Sequence, residues 1–202
     1  MKQTVPSFLQ PGDTIGISAT ARFATAESLA IVERTITAEG FNCYYSPEIS
    51  MQHHQVAGTI AERVQHFNAL IHNPDIKAIW NVRGAYGSAE IVDLVDWDAL
   101  ITQPKWLIGF SDFTTFLCHG VQKGIATLHA PMPISFSTTH PDALTATFDV
   151  LRGKEDALHC VLPKNIGGQI IAGNLSVISS ILGTPSLPSL DDCVLIIEDL
   201  DE

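Results

Sequence analysis

The 202-residue sequence predicts an α/β fold: a mainly parallel, flavodoxin/Rossmann-like sheet with helices on both faces, followed by an incomplete β-rich second domain. Three observations carry this expectation. Short β-branched runs alternate with amphipathic helical stretches from residue 14 to residue 151, the pattern of parallel strands buried on both faces. Hydrophobic residues make up 46% of the chain and charged residues 16%, enough apolar surface for a packed core. After Gly153 the regular alternation stops, which marks a change of unit.

The elements follow in order. Residues 14–19 read as a first strand behind the turn Pro11-Gly12-Asp13. Residues 26–38 read as a helix with Thr25 as N-cap and Gly40 as its stop. A short strand at 41–45 precedes a second helix at 59–71, where Thr59 and Glu62 have capping-box spacing. Residues 77–82 form the third strand, and the turn Arg83-Gly84-Ala85-Tyr86-Gly87 feeds a helix over 88–94. A fourth strand at 106–109, a helix at 112–122, a fifth strand at 126–129 and a helix at 142–151 complete the first unit. Beyond it we expect a strand at 157–162, a helix at 174–182 and a strand at 194–197. The expected division is an α/β domain over 1–153, a linker over 154–168, and the start of a C-terminal domain over 169–202. That last stretch is too short to build its own core and reads as truncated.

Composition excludes several function classes. A formal charge of −11 without any basic cluster argues against nucleic acid, whose phosphates need grouped Lys and Arg. Cys43, Cys118, Cys160 and Cys193 are widely spaced, so neither a zinc site nor a disulfide framework is expected, and free thiols suit a reducing cytoplasm. The eight histidines show no metal spacing, and no metal or other cofactor is expected. The N-terminus lacks the apolar core of a signal peptide, and no run approaches the length of a membrane span.

In parallel sheets of this kind, sites gather at the carboxyl ends of the strands. Three such ends carry suggestive loops: Thr20-Ala21-Arg22, the 83–87 turn, and Phe110-Ser111-Asp112. Ser111 stands between a buried strand and a helix start, where a hydroxyl projects from a sharp turn and the N–H of Asp112 points toward a developing oxyanion. Local pattern alone equally fits an ordinary N-cap, because Phe113 replaces the second glycine of a G-x-S-x-G elbow. Gly84 and Gly87 permit close approach of backbone to a ligand, Arg83 suits a carboxylate, and Tyr86 suits a pocket wall. Neither phosphate-loop pattern fits the turn. Glu198, at the end of an apolar strand, is placed to orient a histidine or simply to meet solvent. His129, before Ala130-Pro131, is the histidine best placed near a site and reads more readily as a structural one.

Taken together, these segments resemble the LD-carboxypeptidases, serine peptidases of the muramoyltetrapeptide carboxypeptidase and microcin-immunity type. The likeness runs in order through Leu9-Gln10-Pro11-Gly12-Asp13, Ala57-Gly58-Thr59 with Glu62-Arg63, and Ile79-Trp80-Asn81-Val82 with the 83–87 turn. It continues through Asp96-Trp97, Gly109-Phe110-Ser111-Asp112-Phe113-Thr114, His129-Ala130-Pro131, Gly173-Asn174-Leu175, Gly183-Thr184-Pro185 and Ile197-Glu198-Asp199. The resemblance covers the N-terminal two thirds of the family's length. It implies a Ser-His-Glu triad with Ser111 as nucleophile and Glu198 as charge-relay carboxylate. The oxyanion and substrate contacts would come from Asp112, Arg83, Gly84, Ala85 and Tyr86. It further implies a cytoplasmic, metal-free homodimer that hydrolyses the amide between an L-centre and a terminal D-amino acid in murein peptides, for cell-wall recycling. A microcin-immunity-type peptidase, or a non-catalytic peptide-binding or scaffold homologue, is the alternative. The sequence departs from the family at Ala85, where a second glycine is usual, and at Ser18-Ala19-Thr20. The family histidine lies downstream of Glu202, so the chain as given is expected to be inactive or nearly so. His129 is the one candidate substitute base.

Overall fold

The computed structural model describes residues 3–154 and 167–200. Five strands form one sheet: β1 (Thr14–Ser18), β2 (Asn42–Tyr44), β3 (Ile76–Asn81), β4 (Trp106–Gly109) and β5 (Leu128–His129). Their order is β2-β1-β3-β4-β5 and each neighbouring pair is parallel, as in doubly wound flavodoxin-like sheets. The helices are α1 (Ala26–Ala38), α2 (Ile60–His72), α3 (Ser88–Ile91), α4 (Trp97–Thr102), α5 (Thr114–Gln122) and α6 (Pro141–Leu151).

Alternation along the strands divides the core. Ala78 and Trp80 of β3 and Trp106 and Ile108 of β4 pack with Val32 and Ile36 of α1 and Phe148 and Leu151 of α6. Ile79 and Leu107 point the other way, onto Phe67 of α2 and Phe116 of α5. Local sequence fixes where helices start. Thr59 Oγ1 accepts from Glu62 N–H at 3.3 Å while Glu62 Oε2 accepts from Thr59 N–H at 2.8 Å. Two amide donors at the start of α2 are thereby satisfied reciprocally.

Several elements differ from expectation. α4 was not foreseen, because six residues are too few to display a helical period. It forms because Asp96 Oδ1 accepts from Ala99 N–H and because Trp97 and Leu100 reach the core. The helix expected over 88–94 is α3 followed by a 3-10 turn at Val92–Leu94. The strand expected at 126–129 narrows to two residues. The strand expected at 157–162, and most of the expected linker, lie outside the described residues.

A second, two-stranded sheet pairs β6 (Gln169–Asn174) with β7 (Cys193–Glu198) in parallel, joined through α7 (Leu175–Ser180). β6 is not expected from the sequence, because it directly follows the Gly167-Gly168 end of the stretch that reads as a linker and itself contains Gly173. Gly173 is required by proximity: a Cβ there would overlap the Thr114 side chain at the start of α5. Asn174 N–H donates to Thr114 Oγ1 at 3.0 Å, and Ile171, Ile178 and Ile181 pack with Cys118 of α5. The small sheet thus rests on the helix that follows Ser111, and Asn174 lies opposite Glu198 in register.

Gly173→Ala is expected to push β6 away from α5 and to destabilise the protein by about 1–3 kcal/mol, an overpacking cost read from the urea midpoint.

Candidate active site

β1 and β3 are neighbours whose following loops lead to opposite sides of the sheet, which opens a crevice at their carboxyl ends. Asn81, the last residue of β3, organises it. Its Oδ1 accepts from Ser18 Oγ at 3.1 Å, from Thr20 N–H at 3.1 Å and from Thr20 Oγ1 at 3.2 Å. Its Nδ2 donates to Arg83 O at 2.8 Å. Arg63 of α2, 2% exposed, closes the outer end: it donates to Thr20 O and Gly87 O and pairs with Glu90 at 2.5 Å. Both loops are therefore held by the hydrogen bonds of two buried polar side chains.

Ser111 sits just past β4 with φ +54°, a left-handed backbone that costs a non-glycine residue about 1–2 kcal/mol. Its hydroxyl packs on the 83–87 turn. A Cβ on Gly84 would lie 3.1 Å from Ser111 Oγ and 3.3 Å from Met132 Cε, so a larger residue there would press on the serine hydroxyl. Ala85 next to it has φ +104°, a second strained position, which is the physical reason a glycine suits that place. The N–H groups of Gly84, Ala85 and Asp112 have no hydrogen-bond acceptor among the described residues. The Ser111 hydroxyl likewise makes no hydrogen bond among them.

The Asp112 carboxylate points away from the serine and into the protein, 6% exposed, where its Oδ2 accepts from Ser88 N–H at 2.9 Å. Burial pushes its pKa up, while hydrogen bonds from Ser88 and Gly87 and the charge of Arg63 pull it partly back. Ser88 Oγ also meets Thr20 Oγ1 at 2.7 Å. Asp112 thus links the serine turn to the start of α3 and, through Ser88, to the β1 loop.

Glu198 ends β7, opposite Asn174 and therefore one hydrogen bond from the start of α5. Its Oε1 is buried with no hydrogen-bond partner among the described residues. It lines a cavity of about 310 Å³ together with Phe110, His129 and Ser135. His129 Nδ1 is also buried and unpaired. Desolvation lowers the His129 pKa, against the opposing pull of Glu198 and the Ala172 backbone. His129 makes no hydrogen bond to Ser111.

The structure brings Ser111, Gly84, Ala85, Asp112 and Arg83 together and sets Glu198 in a cavity bordered by Phe110, the residue before Ser111. Tyr86 goes elsewhere: it is 89% exposed and walls a separate cavity of about 650 Å³ with His53, His54 and Arg63. The sequence reading did not single out Asn81, Ser88 or Arg63 for their positions. Asn81 left one signal, a polar residue within the otherwise apolar run Ala-Ile-Trp-Asn-Val. Among the described residues there is no group of three His, Cys, Asp or Glu side chains able to hold a metal ion, and no helix is long and apolar enough to cross a membrane.

A doubly wound parallel sheet with a serine at positive φ just beyond its fourth strand defines the class, an α/β protein with its crevice at the strands' carboxyl ends. The chain belongs to the LD-carboxypeptidase family: the model of the family's N-terminal domain matches residues 15–130 and that of its C-terminal domain residues 167–202. A protein of Synechocystis sp. that carries a carboxypeptidase name is 32% identical over 98% of this chain and 66% of its own length. The murein tetrapeptide carboxypeptidase of Pseudomonas aeruginosa is 26% identical over 96% of this chain and 68% of its own. The solved structure of the microcin C7 self-immunity protein MccF with glutamyl sulfamoyl guanosine superposes with a TM-score of 0.81 at 26% identity, over 96% of this chain and 70% of that one. The chain spans about two thirds of the length of these relatives.

Two substitutions test the geometry. Ala85→Gly relieves a positive φ and is expected to raise stability by on the order of 1 kcal/mol, seen as a higher urea midpoint at unchanged slope. Asp112→Asn keeps an acceptor for Ser88 N–H and removes a buried ionisable group. The folded pKa of Asp112 is raised, so wild-type stability is full at low pH and falls as pH rises through that pKa. The midpoint of Asp112→Asn is therefore expected to gain on wild type between acid and neutral pH. Asp112→Ala, which orphans Ser88 N–H, is expected to cost about 1–3 kcal/mol.

Proposed function

We propose that this chain is the nucleophile-bearing part of a serine LD-carboxypeptidase that releases a terminal D-amino acid from murein peptides. The observation that carries the reading is the strained left-handed backbone at Ser111, which holds an unbonded hydroxyl against the Gly84-Ala85 turn. Strain of this kind is characteristic of sites under functional demand. Ser111 Oγ attacks the carbonyl carbon of the scissile amide. The N–H of Asp112 and an N–H of the 83–87 turn receive the developing oxyanion. Glu198 orients a histidine that takes the Ser111 proton and returns it to the leaving amine. The unpaired Oε1 of Glu198 in a cavity beside Phe110 suits that role.

The same reading covers a division into an α/β domain over 1–153, a linker over 154–168 and a C-terminal unit from 169. It also covers a cytoplasmic, metal-free homodimer with small peptides as partners. The match of two family models on either side of residues 131–166 supports the division. The likeness to MccF, whose solved complexes hold glutamyl and aspartyl sulfamoyl nucleosides, favours a second substrate class of aminoacyl nucleotide conjugates.

Release of free D-Ala from a murein L,D-tetrapeptide tests the proposal. The 202-residue chain alone is expected near background, because no histidine among its described residues hydrogen-bonds Ser111. Joined to a histidine-bearing C-terminal segment, it is expected to gain about 10⁶-fold, and Ser111→Ala is expected to remove that gain. Equal rates for wild type and Ser111→Ala in the joined protein would overturn the reading. Faster cleavage of an aminoacyl sulfamoyl nucleoside than of the tetrapeptide would favour the second class.

A further inference from the structure

Two arginines stand at the crevice beside Ser111 without an acid among the described residues to neutralise them. Arg22 follows β1 and Arg83 follows β3, so they flank the point where the sheet's connections diverge, the usual ligand position in such folds. Both are half-buried. Neither forms an ion pair with a described residue, although the chain carries twice as many acids as Lys and Arg, 22 against 11. Arg22 Nε is buried with no hydrogen-bond partner among the described residues. Arg63, which donates to Thr20 O and Gly87 O, differs in its charge pairing: Glu90 matches it, although its Nε, like that of Arg22, has no hydrogen-bond partner among the described residues. Burial first, and then the charge of Arg22, lower the pKa of Arg83, and no carboxylate opposes them. Two cations held near each other in part-buried positions are costly unless an anion joins them.

Their attachment beside the Ser111 contact points to a particular anion. Arg83 immediately precedes Gly84, whose Cα faces Ser111 Oγ, and Arg22 N–H donates to Gly84 O at 3.3 Å. The backbones of both arginines are therefore tied within one residue of Gly84, on which the serine hydroxyl rests. In a peptide that loses a single terminal residue, the terminal carboxylate lies one residue, about 3.3–3.6 Å of chain, beyond the scissile carbonyl. Guanidinium groups match carboxylates with paired N–H donors.

We infer that Arg22 and Arg83 form a clamp for the C-terminal carboxylate of the leaving D-residue, and so restrict the site to cleavage of one residue from a free peptide end. The inference rests on the peptidase reading above and adds the recognition element that makes the enzyme an exopeptidase. A peptide extended past the D-residue, or capped as an amide, leaves the two cations unmatched and is rejected.

The test is equilibrium binding to the 202-residue chain of an L-Lys-D-Ala peptide with a free carboxylate and of the same peptide as its C-terminal carboxamide. The acid is expected to bind at least about tenfold more tightly, and Arg22→Gln with Arg83→Gln to erase that ratio. Arg83→Lys is expected to retain most of it. Both Gln variants are expected to melt at the wild-type temperature or above, since they relieve repulsion, whereas a structural arginine would lower it. A ratio near one in wild type, weak binding of both peptides included, would overturn the clamp, as would a ratio that survives both Gln substitutions. The D-Ala assay on the joined protein separates the two ideas. Ser111-dependent release with no acid preference removes the clamp and leaves the peptidase. An arginine-dependent acid preference without Ser111-dependent release removes the peptidase and leaves an anion site.

Discussion

The hydrogen bonds of Asn81 are the constraint on which the rest of the site depends. A single side chain, fully buried at the end of β3, accepts from Ser18 and Thr20 and donates to the carbonyl of Arg83. A polar group at that depth is tolerated only when its hydrogen bonds are made, so each partner is held as firmly as Asn81 itself. The consequence is a fixed separation between two loops, whose backbones also meet beyond the strands' ends where Arg22 N–H donates to Gly84 O. Arg63 repeats the device one layer out by donating to Thr20 O and Gly87 O. The crevice is thus framed by side chains from three elements before any residue of chemical interest is placed.

Into that frame the chain fits two residues at positive φ, Ala85 and Ser111, whose turns touch through Gly84. Strain on both sides of one contact is stable because neither turn can relax alone. Asp112 is tied to Ser88, and Ser88 to Thr20. The same rigidity extends to the second sheet, since Thr114, three residues past the serine, receives the N–H of Asn174. Glu198 takes its position from Asn174 across the β6–β7 ladder. A carboxylate 87 residues away in sequence is brought to the edge of the Phe110 pocket by one side chain-to-backbone hydrogen bond and one strand pairing.

Much of this was legible in the sequence, and the part that was not has a physical reason. The central strands of the large sheet are readable because burial on both faces demands continuous apolar runs, as in Ala78 to Trp80. Helix starts were readable where a cap is encoded locally, as at Thr25 and Thr59. α4 and β6 were not, because each is stabilised by what it packs against: Trp97 and Leu100 by the core, Gly173 by Thr114. Among site residues, Ser111 and Glu198 stood out through the order of motifs, while the inward turn of Asp112 and the outward turn of Tyr86 depend on tertiary neighbours. No local pattern distinguishes an aspartate that faces solvent from one that receives a helix N–H from 24 residues upstream.

The net charge of −11 and the two unmatched arginines act at different ranges. At physiological ionic strength the charges of the surface are felt over about 8 Å, and an approaching anion first meets a repulsive field. Only inside the crevice do Arg22 and Arg83 outweigh it, where low-dielectric walls concentrate their potential. Added salt therefore acts in two opposed ways on any acidic ligand, speeding the encounter by screening the surface while shortening residence by weakening the inner attraction. A protein built this way selects ligands by how deeply they enter, and lets anions that only graze it depart.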